Sequence, residues 1–269
     1  CWGDNSYGQL GTGSDDSLNI PLRITANSGW TDISVGKNHS CAVNGGKLFC
    51  WGDNSSGQLG DGTTESSKIP VRTGVLKEWS KVVAGDAHTC GISGENVYCW
   101  GSNAYGQIGN GESSHSDEFV KVGASLNWKY VSAGENQASC GLSNGSLYCW
   151  GLNHYDQLGD GTTYDKEVPV SIGEERQWSK ITTSGSQTCG ISQGNLFCWG
   201  NYEFDMPGDE NIQNIPLQLG DAAGWTEVST GTDYSCGIMD SQLYCWGRNA
   251  DGVFGEYASD IEMEPFKIS

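Results

Sequence analysis

Ten of the chain's 11 cysteines fall into five pairs: Cys41/Cys50, Cys90/Cys99, Cys140/Cys149, Cys189/Cys198 and Cys236/Cys245. Within every pair the second cysteine comes nine positions after the first and is followed by Trp-Gly. Thiols in such numbers can bind metal or form structural cystines. The spacing is not that of a zinc site, whose cysteines come in close pairs. It is the spacing of a disulfide across a β-hairpin. Counting inward from each pair puts the centre on Gly45-Gly46, Gly94-Glu95, Asn144-Gly145, Gln193-Gly194 and Asp240-Ser241. A two-residue turn at those centres sets the cysteines opposite one another in a non-hydrogen-bonded pair, with Cα atoms about 4.5 Å apart and within disulfide reach. Asn-Gly favours such a turn, and Gly in first place suits type II′. Closing so short a loop contributes roughly 2–3 kcal/mol in the chain-entropy model. The eleventh cysteine, Cys1, has no mate at this spacing.

Other side chains offer weaker chemistry. Two stretches match Gly-x-Ser-x-Gly, Gly141–Gly145 and Gly190–Gly194. A hydrolase needs that motif on a strand-to-helix elbow with Asp and His downstream, whereas both stretches fall at hairpin tips and no histidine follows Ser192. His39 and His88 occupy equivalent places, but the later units carry Gln137 or Ala138, Gln187 and Tyr234 there. Two rings do not make a metal site, so they read as hydrogen-bonding groups. The Gly-Asp-Gly-Thr segments Gly60–Thr63 and Gly159–Thr162 bring one carboxylate each, too few for calcium, and read as tight turns. No catalytic residue, metal site or cofactor is expected.

The elements that position the cysteines repeat with them. Cys-Trp-Gly triplets begin at residues 1, 50, 99, 149, 198 and 245, in steps of 49, 49, 50, 49 and 47. A period of this length marks a solenoid or propeller. Each unit runs through short β-branched or aromatic segments cut by Gly, Asn and Asp, which is strand chemistry, and no window keeps a helical apolar period. Four strands fit in a unit: an inner one such as Asp32–Val35, the two cystine strands, and an outer one. Pro21, Pro70, Pro169, Pro216 and Pro265 mark the outer strand, with Phe119 in that place in the third unit. Proline lacks an N–H and suits a sheet edge. The expected fold is all-β, a propeller of four-stranded antiparallel blades with about 49 residues per repeat. Six repeats are visible: a half-blade at 1–24 and blades at approximately 30–73, 79–122, 128–172, 178–219 and 225–269, in one domain. The whole protein would then have six or seven blades. By the pattern, the mate of Cys1 lies upstream of this sequence or is supplied from elsewhere. A closed ring needs at least one further half-blade, from a longer polypeptide or from another chain. An odd cysteine in a secreted protein can mark such an intermolecular bridge.

The segment Cys50-Trp-Gly-Asp-Asn-Ser-Ser-Gly-Gln-Leu-Gly-Asp-Gly-Thr resembles the repeat of the regulator-of-chromosome-condensation family, and Trp30 with Gly36–Cys41 matches its first half. The resemblance spans nearly the whole chain and implies a β-propeller, usually of seven blades. The cysteine pairs are similar to those of a secreted, disulfide-bearing branch. Family members include nucleotide exchangers for small GTPases, an ultraviolet receptor, a β-lactamase inhibitor and plain binding modules, so the fold does not choose a function. The receptor carries Gly-Trp-Arg-His-Thr where this chain reads Gly36-Lys37-Asn38-His39-Ser40. The 11 tryptophans recur regularly, as inter-blade packing requires. Exchange factors insert a wedge in one blade, and these repeats are too uniform to hold one.

Composition bounds the partner. A net charge of −19 opposes nucleic acid and acidic membrane. No apolar run is long enough to span a bilayer. Five cystines favour an extracellular, cell-surface or periplasm-like oxidising compartment. Asn38, Asn54 and Asn144 stand in Asn-x-Ser sequons and are candidate N-glycosylation sites in a eukaryote, though Asn is also a turn residue. The loops of the last two units leave the consensus: Gly-Gln-Leu-Gly becomes Asp205-Met206-Pro207-Gly208 and Gly252-Val253-Phe254-Gly255. Tyr202, Phe204, Asp205, Phe254, Glu256 and Tyr257 are the candidate partner-binding residues, because exposed aromatics anchor interfaces. The sequence reads as a non-enzymatic binding or structural module that displays loops for protein–protein assembly. A secreted enzyme inhibitor, or a lectin-like module taking glycan, are its alternatives.

Overall fold

The computed structural model describes residues 1–24, 29–75, 78–123, 127–135, 137–201, 212–249, 252, 254–255 and 260–268, with the backbone alone at 201, 212, 213 and 263. Five four-stranded antiparallel sheets follow one another along the chain, each with its strands side by side in chain order. The first holds β1 (Trp30–Val35), β2 (His39–Asn44), β3 (Lys47–Gly52) and β4 (Ser67–Arg72). The second holds β5 (Trp79–Ala84), β6 (His88–Ser93), β7 (Asn96–Gly101) and β8 (Ser116–Lys121). The third holds β9 (Trp128–Ala133), β10 (Ala138–Ser143), β11 (Ser146–Gly151) and β12 (Lys166–Ile172). The fourth holds β13 (Trp178–Ser184), β14 (Gln187–Ser192), β15 (Asn195–Asn201) and β16 (Ile212–Ala223). The fifth holds β17 (Trp225–Thr230), β18 (Tyr234–Met239), β19 (Gln242–Arg248) and β20 (Ile261–Lys267). Pro70, Pro169, Pro216 and Pro265 all sit on the outermost strands, β4, β12, β16 and β20. Strand β16 runs on to Ala223, past the expected end of its blade at 219, and pairs Leu217 with Cys198.

Two-residue turns set the hairpin register. Both turn residues have positive φ at Gly45-Gly46, Asn144-Gly145, Gln193-Gly194 and Asp240-Ser241. At Gly94-Glu95 only the glycine does, as a type II′ turn requires. Each turn places its cysteines directly opposite one another, in the pairs Cys41↔Cys50, Cys90↔Cys99, Cys140↔Cys149, Cys189↔Cys198 and Cys236↔Cys245. All five cystines form. Their Cα atoms lie 4.0 or 4.1 Å apart, 4.1 Å for Cys189–Cys198. This is closer than the separation of about 4.5 Å that an unbridged pair would keep.

The core lies between the sheets. At each of the four interfaces one blade contributes its cystine, two flanking aliphatics and a loop or outer-strand aliphatic. The next contributes its inner-strand Trp and the Trp after its second cysteine. Between the second and third sheets these are Cys90, Cys99, Ile92, Val97 and Ile108 against Trp128, Val131 and Trp150. Between the fourth and fifth they are Cys189, Cys198, Ile191, Leu196 and Leu219 against Trp225 and Trp246. The other two interfaces repeat the pattern. Polar side chains register the inner strands. Asp32 accepts from Val82 N at 2.7 Å and pairs with Lys81, Ser34 Oγ accepts from Ala84 N at 2.9 Å, and Lys180 pairs with Glu227 at 2.7 Å. All five inner strands border a hydroxyl-rich channel of about 640 Å³.

Residues 1–24 repeat the outer half of a blade. Leu22 N donates to Cys1 O at 3.0 Å, and Gly3 bridges Leu18. The same offsets join Cys50 to Val71 and Gly52 to Ser67 in the first full sheet.

Candidate partner-binding site

The loop after each Cys-Trp-Gly is built by two residues. The Oδ1 of Asn5, Asn54, Asn103 and Asn153 accepts from the backbone N of Leu10, Leu59, Ile108 and Leu158 at 2.9–3.0 Å. The Nδ2 of each donates to carbonyls further along the loop. The carbonyls of Gln9, Gln58, Gln107 and Gln157 then accept two bonds from the following blade. One comes from a Trp Nε1, of Trp51, Trp100, Trp150 or Trp199, at 2.8–3.0 Å. The other comes from the hydroxyl of Ser40, Thr89, Ser139 or Thr188 at 2.7–3.0 Å. This buried clasp joins blade to blade. Its Asn and Gln recur in the sequence, but their roles are invisible there, because the partner groups lie a full repeat away.

The fifth unit breaks the pattern. Tyr202 stands where the loop Asn would be and Met206 replaces the Gln. Among the described residues, Ser235 Oγ and Trp246 Nε1, the counterparts of the clasp donors, have no partner. Tyr202, Phe204, Asp205, Glu256 and Tyr257 lie outside the described residues. Phe254 is described and corrects the expectation of an exposed anchor. It is only 4% exposed, its N donates to Asn249 Oδ1 at 2.8 Å, and its ring meets Tyr234 edge-on. It fills the place of Leu10, Leu59, Ile108 and Leu158, whose burial is dictated by the same Asn-anchored turn.

Asn54 corrects a second expectation. Its side chain is fully buried and its Nδ2 donates to Thr63 O and Glu65 O, so the amide that a glycan would need is already inside the loop. Asn38 is half-buried, while Asn144 is exposed at its hairpin tip with φ 51°. Glycopeptide mapping of folded protein from a eukaryotic secretory host is expected to find Asn54 unmodified.

The remaining candidates resolve as structure. Of the two chemistries open to the paired thiols, the cystine is the one realised. Cys41 and Cys50, Cys90 and Cys99, Cys140 and Cys149, and Cys189 and Cys198 are fully buried, so these sulfurs pack blades rather than meet a ligand. The Cys236–Cys245 bridge is the exception, with Cys236 half-buried at the end of the row. His39 Nε2 meets Thr89 Oγ1 at 2.8 Å and His88 Nε2 meets Ser139 Oγ at 3.0 Å, each reaching into the next blade. Burial lowers the His39 imidazole to about 4 despite an opposing pull from Asp53. Burial lowers His88 to about 3, with repulsion from His39 adding to it. Both rings are therefore neutral at physiological pH. Ser192, of the second Gly-x-Ser-x-Gly, donates to Gln177 O at 3.0 Å. Asp61 and Asp160 accept from Thr63 and Thr162 within their own turns. No helix of the described residues is long and apolar enough to cross a membrane.

Some apolar positions that the middle blades cover stand open at the ends of the blade row. Trp2 is 63%, Ile33 55% and Val35 64% exposed on one side. The counterparts of Ile33 at Val82, Val131 and Ile181 are at most 1% exposed. On the other side Ile238 is 38% and Leu243 44% exposed, where Val43, Ile92, Leu142 and Ile191, and Leu48, Val97, Leu147 and Leu196, are covered. Cys1, the free cysteine, borders two cavities of about 380 and 570 Å³ that share Ile33.

Solved structures share this architecture. Human WBSCR16 superposes on the whole chain with TM-score 0.84 at 20% identity, over 75% of its own length. Yeast RCC1 (Prp20) bound to Kap60 does so with TM-score 0.58 at 17% identity, over 83% of its chain. Prp20p from Saccharomyces cerevisiae, described with its binding properties to Gsp1p and histones, matches at 0.60 and 16% over 85%. At these identities the likeness concerns the fold. No curated protein matches the sequence. The model of the regulator of chromosome condensation (RCC1) repeat matches residues 1–43, 45–92, 95–140 and 144–191, and a second model of that repeat matches 30–58 and 79–107. The matched segments carry Asn5, Asn54, Asn103 and Asn153 and the clasp carbonyls of Gln9, Gln58, Gln107 and Gln157, and the chain belongs to the regulator of chromosome condensation repeat family.

Proposed function

We propose that this chain is a non-enzymatic module for protein–protein assembly in an extracellular or cell-surface compartment. The carrying observation is the stapled scaffold itself, in which five cystines hold five four-stranded blades and their connecting loops in fixed geometry. The cystines support both the compartment and the mechanism, since a scaffold already held in shape loses little ordering entropy on association. The charge of −19 points to a protein rather than a nucleic acid as partner. Yeast RCC1, of the same repeat, is itself seen bound to a protein.

The test is amine-reactive cross-linking, with mass spectrometry, of the protein in its native source. Cross-links from its surface lysines to a partner polypeptide are expected. Absence of polypeptide cross-links, together with saturable binding in a glycan panel, would overturn this reading in favour of a lectin.

A further inference from the structure

Along the row of blades one outer edge differs from the rest. The second cysteine of each hairpin has its register partner on the outer strand: Cys50 with Val71, Cys99 with Val120, Cys149 with Val170, Cys198 with Leu217 and Cys245 with Phe266. The two cysteines of a hairpin form a non-hydrogen-bonded pair, so the backbone of the second faces the outer strand instead. Backbone groups alternate in direction along a strand, which leaves the residue just before each register partner facing out of the sheet. That residue is Pro70, Pro169, Pro216 or Pro265 in four blades and Phe119 in the second. A proline there deletes an outward N–H and so blocks pairing with a further strand. Strand β8 keeps the outward N–H groups of Phe119 and Lys121, on an edge that no strand of the described residues occupies.

Charge sets the same edge apart a second time. The residues two before and two after the outward position are Asp117 and Lys121 in β8. They are Lys68 and Arg72 in β4, Glu167 and Ser171 in β12, and Asn214 and Gln218 in β16. An antiparallel copy of β8 centred on Phe119 puts Asp117 of each strand opposite Lys121 of the other. Opposite charges directly across a sheet attract, whereas the like charges that β4 would bring together repel. Neither Asp117 nor Lys121 has an ion pair among the described residues. We infer that β8 is the edge by which this chain pairs with a second copy of itself. The two Phe119 residues exchange N–H···O=C bonds at a two-fold axis, and two four-stranded blades become one eight-stranded sheet. Strand addition of this kind draws affinity from main-chain bonds and specificity from the flanking side chains. The two-fold axis makes the contact self-complementary and closes it at a dimer. Only backbone is used at Phe119, so its ring keeps its edge-on contacts with Trp79 and Trp100. This names the partner for the assembly role proposed above and rests on that reading.

The test is analytical ultracentrifugation of the purified protein over a dilution series, joined to amide hydrogen exchange. Cys1 is alkylated first, so that no dimer forms through that thiol. A dimer that dissociates on dilution is expected, with the Phe119 and Lys121 amides protected in the dimer and exchanging in the monomer. Lys121→Glu should raise the dimer dissociation constant by about tenfold, since it turns both cross-strand pairs repulsive. Adding Asp117→Lys to that variant should restore the dimer, because the swap keeps the charges opposite. Phe119→Pro introduces the residue that four other blades carry and should give a monomer. It also removes a ring packed between blades, so the charge swap decides the matter if that variant fails to fold. A protein that stays monomeric across the series would overturn the inference. So would a dimer that Lys121→Glu leaves unmoved, or one without protection at Phe119, in favour of a different contact. If the protein is monomeric while its lysines still cross-link to another polypeptide in the native source, the edge pairing falls and the assembly reading stands.

Discussion

Trp150→Ala is expected to lower the unfolding free energy by about 4 kcal/mol, whereas the same change at Trp2 should stay within about 0.5 kcal/mol. The two residues hold the same place in the repeat, directly after a cysteine and before a glycine. Trp150 is fully buried among Ile108, Cys99 and Trp128, and its Nε1 donates to Gln107 O at 2.9 Å. Removing the ring opens a cavity between two blades that the stapled hairpins cannot collapse to fill. It also deletes one of the two donors on the Gln107 carbonyl. Trp150→Phe should recover most of the packing but not the hydrogen bond, leaving a deficit of about 1–2 kcal/mol. Urea unfolding at neutral pH, followed by circular dichroism, reads all three variants. Equal losses at Trp2 and Trp150 would refute the inter-blade clasp.

Acid is expected to destabilise the protein before its carboxylates titrate. His39 and His88 are neutral in the fold, lowered to about 4 and about 3. In the unfolded chain each titrates near 6.5, so below that pH the unfolded state binds protons that the folded state refuses. The stability these rings contribute is therefore fully present above pH 6.5 and is lost as the pH falls towards the folded values. The loss is on the order of 3 kcal/mol per ring by pH 4. Thermal unfolding across pH 7 to 4 should show the decline. The chain itself uses Gln187 at the equivalent register position, opposite Gly200 as His39 is opposite Gly52. The His39→Gln, His88→Gln variant should thus fold and show a flatter profile between pH 6.5 and 4. An unchanged slope would place the acid sensitivity elsewhere.

The fold was legible in the sequence because its determinants are local and repeated. A nine-residue cysteine spacing around a two-residue turn admits one hairpin register, and the cystines Cys41–Cys50, Cys90–Cys99, Cys140–Cys149, Cys189–Cys198 and Cys236–Cys245 follow from it. Outer-strand prolines marked the edges for the same local reason. Asp240-Ser241 shows that even a weak turn dipeptide is carried into positive φ when the flanking strands demand it. The candidate site was less legible. Phe254 looked like an exposed aromatic because the sequence does not show that an Asn249-anchored turn drives that position inward. Asn54 looked like a glycan acceptor because a sequon says nothing of the carbonyls that surround its amide.

The sequence by itself determined the repeat, the stapled hairpins, the all-β class and the acidic surface, since each depends on residues within one unit or on composition. Only the tertiary structure decided which copy of a repeated residue is core and which is surface. Trp2 and Trp150, or Ile33 and Val131, are indistinguishable along the chain. What separates them is a neighbouring blade, because burial between sheets belongs to the pair and not to the residue.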